Sequence, residues 1–432
     1  GGSGGDGGGA VQPIDFPGDT DGDGVVVSGN VANLIEGTGP GARVVNFIIS
    51  LDKVFDVDVT VTYQIVPGTA QVGSDITLTN GLTGTVVIPA GQISFIVPVN
   101  IVQDSNVESN ETFSIVLTGA TNATINPDAS TAQAVIFDDD IQARPDTNWA
   151  KEDTNLSITG NVIAGAAHTG APSGAFADVK DLDTAGDTIG LSVTTTGTFS
   201  GLYGTLVLNA NGSYSYTLYT QEQNPEAYAT VQALGPSDEP LHDVFSYTAK
   251  NGFNNTSTSS LNISVFGTND APTISVDGGA RVSEEEGLEG GSSANILGYN
   301  PLPDAGPNSE LDQGNSRFDN GTLTVGDVDG DALTVRLVAP ANGNISSHGD
   351  PIFWSLSTDG HTLTGYNESE TPIIVISLGY TTGNTATYQV ELLGPVDHPD
   401  NSTEDITSFG VQVQVSDGIA PPVSDTLNVV IE

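Results

Sequence analysis

The sequence predicts an all-β protein built from several sandwiches in tandem. Short apolar runs alternate with polar residues at period two, and no helical period stands out. Gly, Asn, Asp and Pro clusters separate these runs as turns do. At 432 residues the chain is longer than one hydrophobic core ordinarily serves, so about three domains in an extended array are expected.

Residues 1–24 read as a Gly-rich, acidic linker or N-terminal extension. A first sandwich is expected over 25–140, with strands at 44–51, 57–63, 94–101, 112–117 and 132–137. In the second and fourth of these, alternate residues face one core. A second sandwich is expected over 141–270. There, Asn211-Gly212 between alternating runs signals a hairpin whose two central positions take positive φ. Tyr214, Tyr216 and Tyr247 read as core or strand-pair aromatics, with carbohydrate stacking as the alternative. A third is expected over 271–432, with strands at 322–325, 385–393 and 409–415. The stretch 288–320, rich in Gly, Pro and Asn, reads as a long surface insertion.

Charge narrows the class further. Nine basic residues stand against 54 acidic ones, for a formal charge of −45. Such a surface repels nucleic acid and anionic membrane, and it strains a compact fold unless cations or extended geometry relieve it. Asp outnumbers Glu, and the shorter side chain suits tight, turn-borne oxygen cages. There is neither Cys nor Met, which excludes disulfides, thiolate metal sites and Cys nucleophiles. An extracellular chain without disulfides needs another staple, and metal is the usual one. No signal peptide or apolar membrane span is visible, and the sequence reads as a processed or internal piece of something longer.

The acids recur at strand ends. Asp138, Asp139 and Asp140 close the run 132–137, and three adjacent carboxylates are tolerable only if solvated or gathered around a hard cation. Ca²⁺ takes six to eight oxygens from flexible loops and is the expected ion. The theme repeats at Asp19-x-Asp21-x-Asp23-Gly24, Asp181-x-Asp183, Asn269-Asp270 and Asp327-x-Asp329-Gly-Asp331. An EF-hand is excluded at the first of these, because its twelfth loop position is Asn30 and a strand begins where a helix should. A weak half-loop and a merely acidic linker both remain open there. Asp327, Asp329 and Asp331 follow a strand, where a rigid scaffold can hold them.

Glu36-Gly37, Gly68-Thr-Ala70, Gly73-Ser-Asp75, Pro89-Ala-Gly91, Asp104-x-x-x-Glu108-x-x-Glu111-Thr-Phe113 and Ile136-Phe-Asp-Asp-Asp140 together resemble a Calx-beta domain. The resemblance implies a seven-stranded Ig-like sandwich with calcium ligands at one end, carried over as Glu36, Asp75, Asp104, Asp138, Asp139 and Asp140. It departs at Ile76, where the family has an aromatic packing residue. Ala143-Arg-Pro-Asp146, Gly160-Asn-Val162, Asn211-Gly-Ser-Tyr-Ser-Tyr216, Asp243-Val-Phe-Ser-Tyr247 and Gly267-Thr-Asn-Asp-Ala-Pro272 resemble a VCBS repeat, a bacterial cadherin-like surface module. Glu284-Glu-Glu286-Gly287, Gly326-Asp-Val-Asp-Gly-Asp331, Ser357-Thr-Asp-Gly360 and Val415-Ser-Asp-Gly418 resemble repeats of RTX-like adhesins exported by type I secretion. By the cadherin-like resemblance, Asn269 and Asp270 share a cation with Asp181, Asp183 and Glu284. An ordinary Asn-Asp-x-Pro turn is the other reading.

No catalytic constellation stands out, and no enzyme is expected. His168, His242, His348, His361 and His398 are scattered, without the paired spacing of a zinc site. The expectation is a calcium-stabilised extracellular segment at a bacterial cell surface, a rigid extender in attachment or biofilm whose only cofactor is Ca²⁺. Its partners would be adjoining repeats of a longer chain or a surface or matrix ligand. The alternative is a self-assembling filament or surface-layer subunit, in which the patch 11–16 adds a strand to a second copy. A glycan-binding module or hydrolase is a third reading.

Overall fold

A computed structural model describes residues 24–29, 34–38, 43–168, 170, 172, 178–183, 190–284, 316–398 and 406–432. The linker as far as Asp23, with Asp19, Asp21 and the patch 11–16, lies outside the described residues, as do the side chain of Asp183 and most of 288–320. The described residues are almost entirely strands and turns. They pack as two compact units. One holds the described part of Gly1–Ala150 with Thr154–Thr220 and Leu241–Val265, and the other holds Lys151–Asp153, Gln221–Pro240 and Phe266–Glu432.

Ten strands precede Asp138: β1 (Gly24–Gly29), β2 (Leu34–Ile35), β3 (Arg43–Leu51), β4 (Val59–Val66), β5 (Ile76–Thr77), β6 (Thr83–Ile88), β7 (Ser94–Ile101), β8 (Glu111–Thr121), β9 (Thr124–Ile125) and β10 (Thr131–Phe137). They form two five-stranded sheets, β5-β7-β3-β1-β9 and β2-β10-β8-β4-β6. Period-two alternation drives the packing, since Val59, Val61, Tyr63 and Ile65 of β4 are buried while the residues between them are not. Phe47 of β3 meets Phe113 of β8 edge to face at 5.8 Å, both fully buried.

Next come β11 (Ile141–Gln142), β12 (Asp146–Lys151), β13 (Ser157–Asn161), β14 (Leu182–Asp183), β15 (Ser192–Val193), β16 (Gly197–Ser200), β17 (Gly204–Leu208), β18 (Ser213–Leu218), α1 (Pro225–Gln232), β19 (Leu241–Lys250) and β20 (Thr256–Phe266). Two four-stranded sheets result, β12-β20-β19-β15 and β13-β18-β17-β16. The helix was not foreseen. Pro225 opens it with a preset φ, and the Asn224 side chain caps Ala227 N–H. The β17–β18 hairpin also differs from expectation. Gly212 N–H bonds Asn209 O, and Gly212 holds φ at +80°. The loop thus spans four residues, 209–212, instead of two, and Gly212 carries positive φ while Asn211 does not.

The last strands are β21 (Thr273–Val276), β22 (Gly279–Val282), β23 (Phe318–Gly326), β24 (Thr334–Val338), β25 (Ser346–Ser347), β26 (Asp350–Pro351), β27 (Phe353–Leu356), β28 (Thr362–Tyr366), β29 (Pro372–Leu378), β30 (Thr385–Leu392), β31 (Thr407–Ser416) and β32 (Val423–Ile431). A six-stranded sheet, β21-β23-β30-β29-β28-β27, and a four-stranded one, β22-β32-β31-β24, enclose a core that includes Leu337, Leu363, Ile376, Val390, Val411 and Leu427.

Candidate metal centres

Strand pairing alone gathers the first acidic group. β2 runs parallel to β10 with Ile35 opposite Phe137, so Glu36 and Asp138 leave the sheet side by side. Ile136 of β10 pairs with Glu111, the first residue of β8. In the other sheet, Ile76 pairs with Ile101, which sets Asp75 beside the segment leading to Asp104. Backbone amides then hold the carboxylates. Gly37 N donates to Asp139 Oδ1 at 2.7 Å, Asp104 N to Glu36 Oε1 at 3.2 Å, and Asp140 N to Asp138 Oδ1 at 2.8 Å. Gln71 N donates to Asp75 Oδ2 at 2.6 Å.

Glu36, Asp75, Glu111, Asp138, Asp139 and Asp140 are all buried. Burial, followed by repulsion from Asp104, Asp138 and Asp140, raises the Glu36 carboxyl to about 8. Burial with Asp75, Glu108 and Asp138 brings Glu111 to about 7. Burial with Asp138, Asp139, Asp104 and Glu108 does the same for Asp140, also to about 7. These are oxygens pressed together in low dielectric. Glu108 and Glu111 lie outside the expected ligand set; their place in the Asp104-x-x-x-Glu108-x-x-Glu111 motif is the sequence signal for them.

A second group lies on the loop after β23. Thr273 pairs with Gly326, so Asn269 and Asp270 run alongside Asp327 and Asp329. One oxygen each from Asp327, Asp329 and Asp331 lies within 4.8 Å of the others. Gly330, at φ +78°, permits the tight turn. Asp270 N donates to Asp329 Oδ2 at 2.8 Å, and Asn269 Nδ2 to Asp417 Oδ2 at 2.9 Å. Asn269 Oδ1, Asp327 Oδ2 and Asp329 Oδ1 are buried and meet no hydrogen-bond donor. Burial, with repulsion from Asp153, Asp329 and Asp327, raises the Asp270 carboxyl. Glu152, fully buried, takes Thr268 N at 2.7 Å and Gln232 Nε2 at 2.8 Å and is raised to about 7, chiefly by burial. Sequence reasoning missed Glu152, Asp153 and Asp417, although Glu152-Asp153 stands at a strand end as the other acids do.

Of the residues expected to share a cation with Asn269 and Asp270, Asp181 and Glu284 each have protein hydrogen-bond donors, and the side chain of Asp183 lies outside the described residues. Asp181 is fully buried in a hydrogen-bonded network, accepting from Arg144 N at 2.6 Å and from the Tyr247 hydroxyl at 3.1 Å. Asp146 Oδ2 shares that hydroxyl at 2.8 Å, and the Tyr214 hydroxyl lies 3.0 Å from Asp178 Oδ1. Glu284 Oε1 accepts from Val396 N at 2.6 Å and lies 3.6 Å from His398 Nε2. Tyr214, Tyr216 and Tyr247 are buried core residues, and each hydroxyl meets a buried Asp. Nor are all the histidines apart from acids: His168 Nε2 lies 3.2 Å from Asp178 Oδ1.

Residues 30–140 match the Calx-beta domain family. No curated protein sequence matches the chain. Among solved structures, the apo form of the Calx CBD1 domain is 22% identical, aligning with 27% of this chain and 100% of its own at a TM-score of 0.23. CBD12 from CALX1.2 is 15% identical over 51% of this chain and 78% of its own, with a TM-score of 0.23. The extracellular domain of protocadherin gamma B4 is 14% identical over 93% of this chain and 47% of its own, with a TM-score of 0.37. Among the described residues no helix is long and apolar enough to cross a membrane.

Proposed function

We propose that this chain is a calcium-stabilised structural segment of an extracellular attachment protein, with no catalytic role. The observation that carries the reading is the set of three buried, donorless oxygens of Asn269, Asp327 and Asp329 beside Asp270 and Asp331. A buried polar atom without a partner is costly, and a divalent cation removes the cost. The donors are carboxylate and amide oxygens only, which suits a hard ion such as Ca²⁺ and disfavours soft or borderline metals. At the other centre Glu36, Asp75, Asp104, Asp138, Asp139 and Asp140, joined by Glu108 and Glu111, would supply the oxygens. Bound Ca²⁺ would neutralise repulsion that otherwise opposes folding, and so fix loops at the sandwich ends.

On this reading the three expected domains are separate sandwiches that calcium stiffens to hold a distal part of a larger surface protein away from a bacterial cell. Type I export and the cadherin-like repeats of the middle sandwich belong to the same proposal. Calorimetric titration of the chelated chain tests it: saturable Ca²⁺ uptake that raises the melting temperature supports the reading, and a melting temperature indifferent to excess chelator rejects it.

A further inference from the structure

The six-stranded sheet ends at β27, and beside that edge lies an open groove of about 750 Å³, within the range of small-molecule sites. Its lining includes Phe353, Trp354, Tyr366, Asn367, Glu368 and Glu370. None of them belongs to the acidic groups described above.

Trp354 anchors the strand. Its ring lies 5.4 Å from Phe409, its Nε1 donates to Asn344 Oδ1 at 2.8 Å, and a Cβ on Gly365 would meet it at 3.1 Å. Adjacent residues of a strand face opposite ways, so Phe353 projects outward, and it is 41% exposed. Phe353 pairs directly with Tyr366 across β27 and β28, which stands two aromatic side chains next to each other on the outer face. A bulge between Gly365 and Tyr366 against β29 sets the local twist there. The turn that follows is fixed by Asn367 Oδ1, which accepts from Ser369 N and Thr371 N at 3.0 Å each. Glu370 holds φ at +60° in that turn, a state disfavoured outside Gly. An exposed Phe paired with a half-buried Tyr, a bulge and a fixed turn bearing two carboxylates therefore converge on one groove.

We infer that this groove binds a neutral saccharide. The apolar C–H face of a pyranose lies on the rings, while its hydroxyls donate to the Glu368 and Glu370 carboxylates. Those carboxylates and the net charge of −45 disfavour anionic glycans. A small organic cation gains little here, because both glutamates are exposed and screened. Ring area, not charge, dominates the recognition. This inference does not rest on the calcium reading.

The test titrates the full chain, held in millimolar Ca²⁺, with tetrasaccharides of glucose, N-acetylglucosamine, galactose and mannose, and with choline as the cationic probe. At least one tetrasaccharide binds and choline does not. Phe353→Ala weakens binding by about tenfold or more, whereas Phe353→Trp, which keeps a ring, stays within about threefold of the parent. Both variants melt with the parent, since Phe353 lies outside the core. Binding by none of the four sugars, binding of choline instead, or unchanged binding in Phe353→Ala overturns the proposal.

Discussion

At Asp139 the two carboxylate oxygens already have separate partners: Oδ1 takes Gly37 N and Oδ2 takes Asn255 Nδ2, both at 2.7 Å. Replacing it would disturb those bonds along with any ion. Glu36 and Asp140 are better probes, because burial and neighbouring carboxylates raise both carboxyls. Glu36→Gln with Asp140→Asn is expected to stabilise the chelated protein and to abolish one class of Ca²⁺ binding. Asp327→Asn with Asp329→Asn should remove a different class and leave the first intact, as sites without shared partners behave additively. Titration calorimetry on both double variants checks this; loss of all binding in either one would mean a single coupled site. The same carboxyls set the pH dependence without calcium. A carboxyl raised from about 4.3 in the unfolded chain binds its proton more tightly when folded. Stability is therefore greatest below the unfolded value and is lost as pH rises to the folded values of about 7 to 8. The chelated protein should melt higher at pH 5 than at pH 8, and calcium should reverse that order by competing for the same oxygens. Equal melting temperatures at both pH values in chelator would show that the acids are solvated.

Among the elements, the 201–204 turn depends on one buried side chain. Asp243, on β19, accepts from Leu202 N at 2.5 Å, Tyr203 N at 3.1 Å, Gly204 N at 3.2 Å and the Tyr216 hydroxyl at 2.6 Å. Asp243→Ala leaves four donors without that acceptor, and a loss of about 3 kcal/mol is expected in urea unfolding. A cost below about 1 kcal/mol would show that water replaces the carboxylate. Such pairings mark the limit of what the sequence discloses. Period-two alternation located β3, β4, β7, β8, β10, β30 and β31 because burial of one face is written into neighbouring residues. Burial of the three tyrosines was legible in the same way. That their hydroxyls hold Asp146, Asp178, Asp181 and Asp243 was not, since those contacts join residues 27 to 101 positions apart. The acids at strand ends were visible as runs. Which runs meet depends on strand register, and so Glu111 and Glu152 were passed over.

For the whole molecule the deciding quantity is how much of its stability calcium supplies. A site with Kd of about 10⁻⁴ M, held in about 10⁻² M Ca²⁺, is saturated about a hundredfold and contributes roughly 2.7 kcal/mol. Two such centres would contribute about half of what a typical domain has in all. Relief of charge acts in the same direction, because a formal −45 on 432 residues opposes every compact state. A compact body of this length would have a radius of gyration of about 22 Å. A calcium-stiffened extender should scatter with a clearly larger radius, and that radius should stay fixed as salt is raised, since the ions hold it and long-range repulsion does not. A radius near 22 Å would reject the extender. Concentration then separates the two modes of attachment. A tether stays monomeric, whereas a strand-donating subunit forms filaments that vanish when residues 1–23 are deleted. Filaments that survive the deletion would place the contact elsewhere on the chain.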